Sequence, residues 1–183
     1  MTTNKMEPII HCRNCNLYCN QLPLLDHLKK CDIMWVGLSA KKVSNVKKAI
    51  PLENNTNSGK IIELIEKKMP NLTFYKTNLV KCLPLNEKKK LRYPTKEEMD
   101  KCVLNLIREI EIGKPKIIFV LGKIAYQFIQ NYLGKNKIEI KNIVYIEHPS
   151  YIYVYKRKYI NDYIHKIVSI CNQTECIFEE SEL

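Results

Sequence analysis

Apolar residues along this chain fall into short continuous runs, separated by stretches in which they recur every three or four positions. The first run, IMWVGL at 33–38, reads as a buried strand ending at Gly37. In SGKIIELIEKK, at 58–68, Ile61, Ile62, Leu64 and Ile65 gather on one side of a predicted helix. LTFYKTNLV (72–80) is a second strand. The best-marked helix lies in YPTKEEMDKCVLNLIREIEIGKP. Thr95 and Glu98 have capping-box spacing, Pro94 precedes them, and Met99, Cys102, Val103, Leu106, Ile107 and Ile110 follow at helical spacing until Gly113 and Pro115 stop it. KIIFVLG (116–122) is a third strand with a glycine at its end, and KIAYQFIQNYL a helix. IKNIVYIE (140–147) is a fourth strand, and RKYINDYIHKIVSIC (157–171) a closing helix.

Apolar strands alternating with helices predict a three-layer α/β/α domain around a four-stranded, mainly parallel sheet. It spans 32–172. An N-terminal cysteine-bearing segment (1–31) precedes it, irregular apart from a possible short helix in LPLLDHLKK, and an acidic tail (173–183), expected to be loose, follows it. Ligands of such sheets bind outside the carboxyl ends of the strands. Here the segments leaving those ends are Gly37 to Ser44, Asn78 to Pro84, Gly122, and His148 to Tyr151.

At 183 residues the chain suits one compact domain, and 45% hydrophobic with 27% charged residues is a globular composition. Thirty Lys and Arg against nineteen Asp and Glu give a formal charge of +11, concentrated in KKVSNVKK, EKKKLR and YKRK. Such a field attracts polyanions, with nucleic acid the expected partner, although a lysine-rich surface can also be merely solvated. No apolar run approaches the roughly 20 residues of a membrane span, and the N-terminus has no signal-like apolar core. The expected setting is cytoplasmic, without a membrane partner, and the expected state a monomer.

In a reducing compartment eight cysteines point to metal ligation before disulfides. Cys12 and Cys15 form one CxxC, half of a metal site. Cys19 and Cys31 could complete a local zinc ribbon, or Cys82 and Cys102 could supply the remaining ligands. Cys82 and Cys102 could equally be buried core residues. Cys171 and Cys176 read as structural or incidental. Spacing does not choose among these.

Three segments taken in order carry a resemblance: TNLVKCLP, PTKEEMDKCVLNLIREIEIGKPKIIFVLGKIA and EHPSY. With the leading CxxC they resemble the iron-sulfur enzymes of the uracil-DNA glycosylase superfamily over about Cys12 to Tyr151. The resemblance implies a monofunctional DNA glycosylase hydrolysing the N-glycosidic bond of a flipped uracil or related base. It implies a [4Fe-4S] cluster on Cys12, Cys15, Cys82 and Cys102, with zinc as the alternative. Asn78 matches the asparagine that reads the base edge, where a carboxamide offers donor and acceptor together. His148 matches the histidine at the base O2, where a hydrogen bond stabilises charge on the departing pyrimidine. Ser150 belongs to the same loop. In YIYVYKRK, Tyr151, Tyr153 and Tyr155 become aromatic wedges and Lys156, Arg157 and Lys158 phosphate partners. Alternatively the tyrosines line one face of an extended strand that leads into a solvated helix start.

The first motif departs from the family. VGLSAKKV places Leu38 where the family has an acidic residue, with Ala40 and Lys41 in place of its proline and second glycine. Gly37, Leu38 and Ser39 would still line the substrate site. In PLENNTNSGK, Leu52 stands for the family's stacking aromatic, and Glu53 and Asn55, beside Asn54 and Asn57, could position water. A glycosylase-fold protein binding DNA or a flipped base without turnover is the alternative function.

Overall fold

The computed structural model describes residues 6–27 and 29–180. Its strands are β1 (Ile33–Ser39), β2 (Phe74–Val80), β3 (Ile117–Leu121) and β4 (Ile143–Ile146), all parallel, in the order β2-β1-β3-β4. The helices are α1 (Glu7–Ile10), α2 (Asn57–Glu66), α3 (Lys96–Gly113), α4 (Lys123–Asn136), α5 (Pro149–Tyr155) and α6 (Ile160–Glu180). The period of two along β1 sorts its side chains. Met34 and Val36 pack with α3 and α4 through Val103, Leu106, Ala125 and Ile129. Ile33 and Trp35 pack with α2 and α6 through Ile61, Ile65, Ile164 and Ile167. The three-layer α/β/α domain with an all-parallel sheet therefore stands as the sequence predicts.

Helix α3 starts with the capping box: Thr95 Oγ1 accepts the Glu98 N–H at 3.2 Å and the Glu98 carboxylate accepts the Thr95 N–H at 2.7 Å. It ends with Lys114 in the left-handed region (φ 45°), just before Pro115.

Three elements differ from expectation. The 22–30 stretch shows no helix among its described residues, and residue 28 lies outside them. Leu24, fully buried, gives its N–H to the Lys81 carbonyl at 2.8 Å, and the His27 N–H, which a helix would give to the Pro23 carbonyl, goes to Asp26 Oδ1 at 2.7 Å. This segment is a strap across the sheet end, fastened again by Asn20 Nδ2 to Leu83 O at 3.0 Å and Cys31 N–H to Gly113 O at 3.0 Å. Secondly, YIYVY is helical rather than extended. His148 is the N-cap and Pro149 opens the helix, which turns the alternating tyrosines into an i,i+4 pair, Tyr151 over Tyr155 at 5.3 Å, with Ile152 buried. Thirdly, α6 continues to Glu180, through most of the expected loose tail; 181–183 lie outside the described residues.

Between β2 and α3 lies a buried ion pair. Lys81 is 1% exposed and Glu109 0%, and they meet at 2.5 Å. Lys81 Nζ also donates to Thr77 Oγ1 (2.8 Å) and the Asn78 carbonyl (2.5 Å). The Glu109 carboxylate accepts from Tyr75 Oη (2.9 Å) and Thr77 Oγ1 (2.8 Å). All three ammonium protons and both carboxylate oxygens are used, the condition under which a desolvated pair is tolerated. Removing one partner strands the other charge. Glu109→Ala is expected to lower unfolding stability by about 3–5 kcal/mol in urea titrations. Breaking the exposed Lys96–Asp100 pair (2.6 Å) by Lys96→Ala should cost no more than about 1 kcal/mol.

Candidate active site and cysteine cage

The carboxyl ends of the four strands place one group each in a row. Gly37 of β1 is in register with Asn78 of β2, Gly122 follows β3, and His148 follows β4. Gly37 is indispensable to this packing, because a Cβ there would fall on Asn78 Oδ1 and lie 3.6 Å from Leu52 Cδ2. Asn78, Gly37 and Leu52 are thus in mutual contact. Asn78 is only 3% exposed, yet its carboxamide has no hydrogen-bond partner among the described residues. No fully buried side-chain nitrogen or oxygen among them lacks a partner. The Asn78 amide atoms must therefore open to solvent at the strand end, poised for an incoming polar edge.

Leu52 has φ 54°, an unfavourable left-handed conformation for a branched residue. The next turn holds it there. Thr56 caps α2 by accepting the Gly59 N–H at 2.9 Å and gives its hydroxyl proton to the Glu53 carbonyl at 2.8 Å. A Cβ on Gly59 would strike the Leu52 and Glu53 backbone, so α2 docks directly on the Leu52 loop.

His148 is half-buried beside Gly122, whose φ of 93° is a backbone conformation that calls for glycine; a Cβ there would lie 3.6 Å from His148 Cβ and Cδ2, an ordinary contact distance. The Ser150 backbone N–H points at His148 Nδ1 (3.3 Å) and the Ser150 hydroxyl lies at 2.8 Å. A backbone N–H can only donate, so Nδ1 accepts and the neutral ring carries its proton on Nε2. Burial pushes the imidazole pKa below its ordinary range, which keeps the ring neutral. The arrangement offers a fixed, uncharged N–H donor.

Leu38 and Ser39 are half-buried, and Leu38 turns to the α3/α4 core. Glu53 and Asn55 form a chain with Lys41. Glu53 Oε1 accepts the Ile50 N–H (3.2 Å), its Oε2 accepts from Asn55 Nδ2 (3.0 Å), and Asn55 Oδ1 accepts from Lys41 Nζ (3.0 Å).

Of the expected DNA-contacting residues, Tyr151 is exposed, and Tyr155 beside it more so at 75%. Tyr153 differs: it is half-buried, with Lys60 and Arg157 each 5.6 Å from its ring centre. Lys156 is likewise not a free cation, being paired with Glu147 at 2.8 Å over the Tyr151 ring. Arg157 and Lys158 are exposed.

A separate narrow pocket is lined by Cys12, Cys15, Cys82 and Cys102, with Lys81 and Asn105 on its wall. Cys19 is exposed and Cys31 buried, and neither lines it. Burial pushes the Cys31 thiol up to about 12, with Asp32 and Asp26 adding to the shift. In the pocket, burial raises the Cys82 pKa first, and the neighbouring Cys102, Cys15 and Cys12 raise it further. N–H donors face the sulfurs: Lys81 N to Cys102 Sγ at 3.4 Å, and Asn105 Nδ2 to Cys12 Sγ at 3.4 Å and Cys102 Sγ at 3.9 Å. Among the described residues no three His, Cys, Asp or Glu side chains close on a single ion.

The sequence reading missed Asn105 and Lys81 as parts of these sites. Asn105 carries a usable signal, an amide one helical turn after Cys102 on an otherwise apolar face.

Residues 21–170 match the family model of the uracil DNA glycosylase superfamily. The chain is 31% identical over 160 residues to the type-4 uracil-DNA glycosylase of Sulfurisphaera tokodaii, covering 84% of this chain and 68% of that one. With the type-4 uracil-DNA glycosylase of Archaeoglobus fulgidus it shares 33% over 128 residues, 67% of this chain and 60% of the relative. The crystal structure of wild-type Pedobacter heparinus SMUG2 superposes with a TM-score of 0.62 at 18% identity, over 82% of this chain and 77% of that one, a likeness of fold. With a family match along residues 21–170 and relatives of this kind, the chain belongs to the uracil-DNA glycosylase superfamily.

Proposed function

We propose that this protein is a monofunctional DNA glycosylase that extrudes uracil, or a closely related base, and hydrolyses its bond to deoxyribose. The observation that carries the reading is the unpartnered Asn78 carboxamide at the strand end. An amide offers a donor to a base O4 and an acceptor to N3–H at once, and an extruded base is read by such bonds to its pairing edge. Leu52, against Gly37, is the apolar surface on which the base face lies. His148 Nε2–H donates to the base O2 and gains strength as the bond breaks and negative charge gathers there. Because the ring stays neutral, it stabilises that charge without a proton transfer. Glu53 and Asn55, joined in one chain, position the attacking water. Tyr151 and Arg157 with Lys158 contact the DNA, and Tyr155 joins Tyr151 as the exposed aromatic pair that fills the vacated stack.

The cysteine cage would hold a [4Fe-4S] cluster through Cys12, Cys15, Cys82 and Cys102. Four thiols lining one pocket, with N–H donors on two of the sulfurs, are a ligand set that such a cluster takes. When bound, the cluster supplies a covalent fastening of the N-terminal strap to β2 and α3.

Three outcomes test this. Uracil release from single- and double-stranded oligonucleotides, read as alkali-labile sites, should fall by about 10²–10³ in His148→Ala, the loss typical of a removed charge-stabilising donor. No release by the wild type, with DNA binding intact, would overturn uracil as the base. The pH–rate profile should run level through the ordinary imidazole value near 6.5 and decline only at lower pH, since the folded pKa is lowered by burial. A break at 6.5 would sink the assignment of a buried neutral ring. Cys82→Ser and Cys102→Ser should each lose bound iron and sulfide together with visible absorbance, and full iron retention in either variant would remove that residue from the ligand set.

A further inference from the structure

Residues 85–92 (LNEKKKLR) leave the carboxyl end of β2 through Cys82, Leu83 and Pro84, and they form a built hairpin. Leu85 and Leu91 pair as an antiparallel bridge. Asn86 organises the tip: its N–H bonds the Lys90 carbonyl (2.9 Å), its carbonyl takes the Lys89 N–H (2.9 Å) and its Oδ1 takes the Lys90 N–H (2.9 Å). Lys89 is thereby held in the left-handed region at φ 56°. Arg92 closes the base, with its N–H on the Pro84 carbonyl (3.1 Å), Nε on the Leu85 carbonyl (3.0 Å) and a two-pronged ion pair to Glu98 at the start of α3 (2.8 and 2.6 Å).

The result is a fixed presentation of Lys88, Lys89 and Lys90, all exposed and without an ion-pair partner among the described residues. Leu91 and Tyr93 stand beside them, 61% and 72% exposed. A merely solvated lysine run needs no such scaffold. Like charges held together repel, and they are stabilised by a polyanion that lies across them.

Topology says where that polyanion runs. β2 and β4 are the two edges of the sheet, so the hairpin leaves one edge and α5, with Arg157 and Lys158 after it, leaves the other. Three inter-strand spacings separate these exits, about 14 Å, or about four base steps along one strand of DNA. The row from Asn78 to His148 lies between them. We propose that the 85–92 hairpin is a second DNA-backbone contact, gripping phosphates on the side of the target nucleotide opposite the α5 segment. This rests on the glycosylase reading for the position of the target nucleotide, and on the charge and topology alone for the contact.

The test uses the full protein and a Lys88→Ala/Lys89→Asn/Lys90→Ala variant, with asparagine at 89 because it tolerates the left-handed backbone. On an oligonucleotide with uracil and long flanks on both sides, the plot of log affinity against log salt should be less steep in the variant by about 2–3. Trimming one flank to a few nucleotides should erase the difference between wild type and variant, and trimming the other should leave it. Lys90→Ala alone should reduce the slope by about 1, which guards against a folding defect in the triple variant. An unchanged slope on the long substrate overturns the proposal, as does a difference that survives both trims. Uracil release by the wild type is scored in the same samples. Release with an unmoved slope defeats the hairpin contact alone, whereas a moved slope without release defeats the glycosylase reading and leaves the contact standing.

Discussion

Lys81 carries its charge into the interior between β2 and α3, and both sites of the molecule depend on how that charge is held. An ammonium buried to 1% exposure is ruinous unless every proton has an acceptor, and here Glu109, Thr77 and the Asn78 carbonyl supply them. The consequence reaches in three directions from one residue. Its ammonium fixes the backbone carbonyl of Asn78, its N–H faces Cys102 Sγ, and its carbonyl receives the N–H of Leu24. The Asn78 strand end, the cysteine cage and the N-terminal strap are therefore referenced to the same point at the exit of β2. A pair of this kind adds little net stability over an apolar core, but losing one partner strands a buried charge, so the exit of β2 is held to the arrangement that satisfies both.

The other half of the site is held by close backbone approach. Gly37 gives Asn78 and Leu52 a common contact, Gly59 lets α2 sit on the Leu52 loop, and Gly122 lies beside His148. Leu52 keeps its left-handed backbone because the Thr56 cap and the α2 docking leave the loop no alternative path. Backbone strain of this kind persists only where the surrounding structure over-determines it, as the Thr56 cap and Gly59 do here.

Much of this was legible in the sequence where periodicity and local chemistry agree. The strands of the buried sheet are continuous apolar runs, and α3 announces itself through Thr95 and Glu98, a signal confined to one turn. Legibility fails where a distant partner decides. LPLLDHLKK has helical composition, yet Asp26, which also accepts the N–H of Lys76 on β2, takes the His27 N–H, and the Lys81 carbonyl, far away in sequence, holds Leu24. In YIYVY the alternation suggests an extended face, but His148 as N-cap and Pro149 after it fix the first turn of a helix, and the tyrosine pair follows. Among the site residues, Asn78 and His148 could be named from their motifs. That Lys156 is tied to Glu147 and Tyr153 lies between two cations depends on helix α5 having formed.

The divergent first motif becomes coherent once the faces of β1 are known. Leu38 has the parity of Met34 and Val36, and it joins the core beneath α3 and α4, while Gly37 looks toward Leu52 and Asn78. A leucine there extends an apolar layer and leaves no uncompensated polar group behind. The polar capacity reappears one loop away. Lys41, at the position of the family's second glycine, holds Asn55; Asn55 holds Glu53; and the Lys41 carbonyl is itself held by Gln21 Nε2 at 3.0 Å. Gln21 Oε1 also accepts the Val43 N–H at 3.0 Å, which pins the loop after β1 to the N-terminal strap. Lys41, Asn55 and Glu53 thus form one hydrogen-bonded chain on the loop beside the strand end, in which a carboxylate is steadied by an amide and a cation. Because Gln21 holds both the Lys41 carbonyl and the Val43 N–H, the order of that loop depends on the same N-terminal strap whose Leu24 is bonded to the exit of β2.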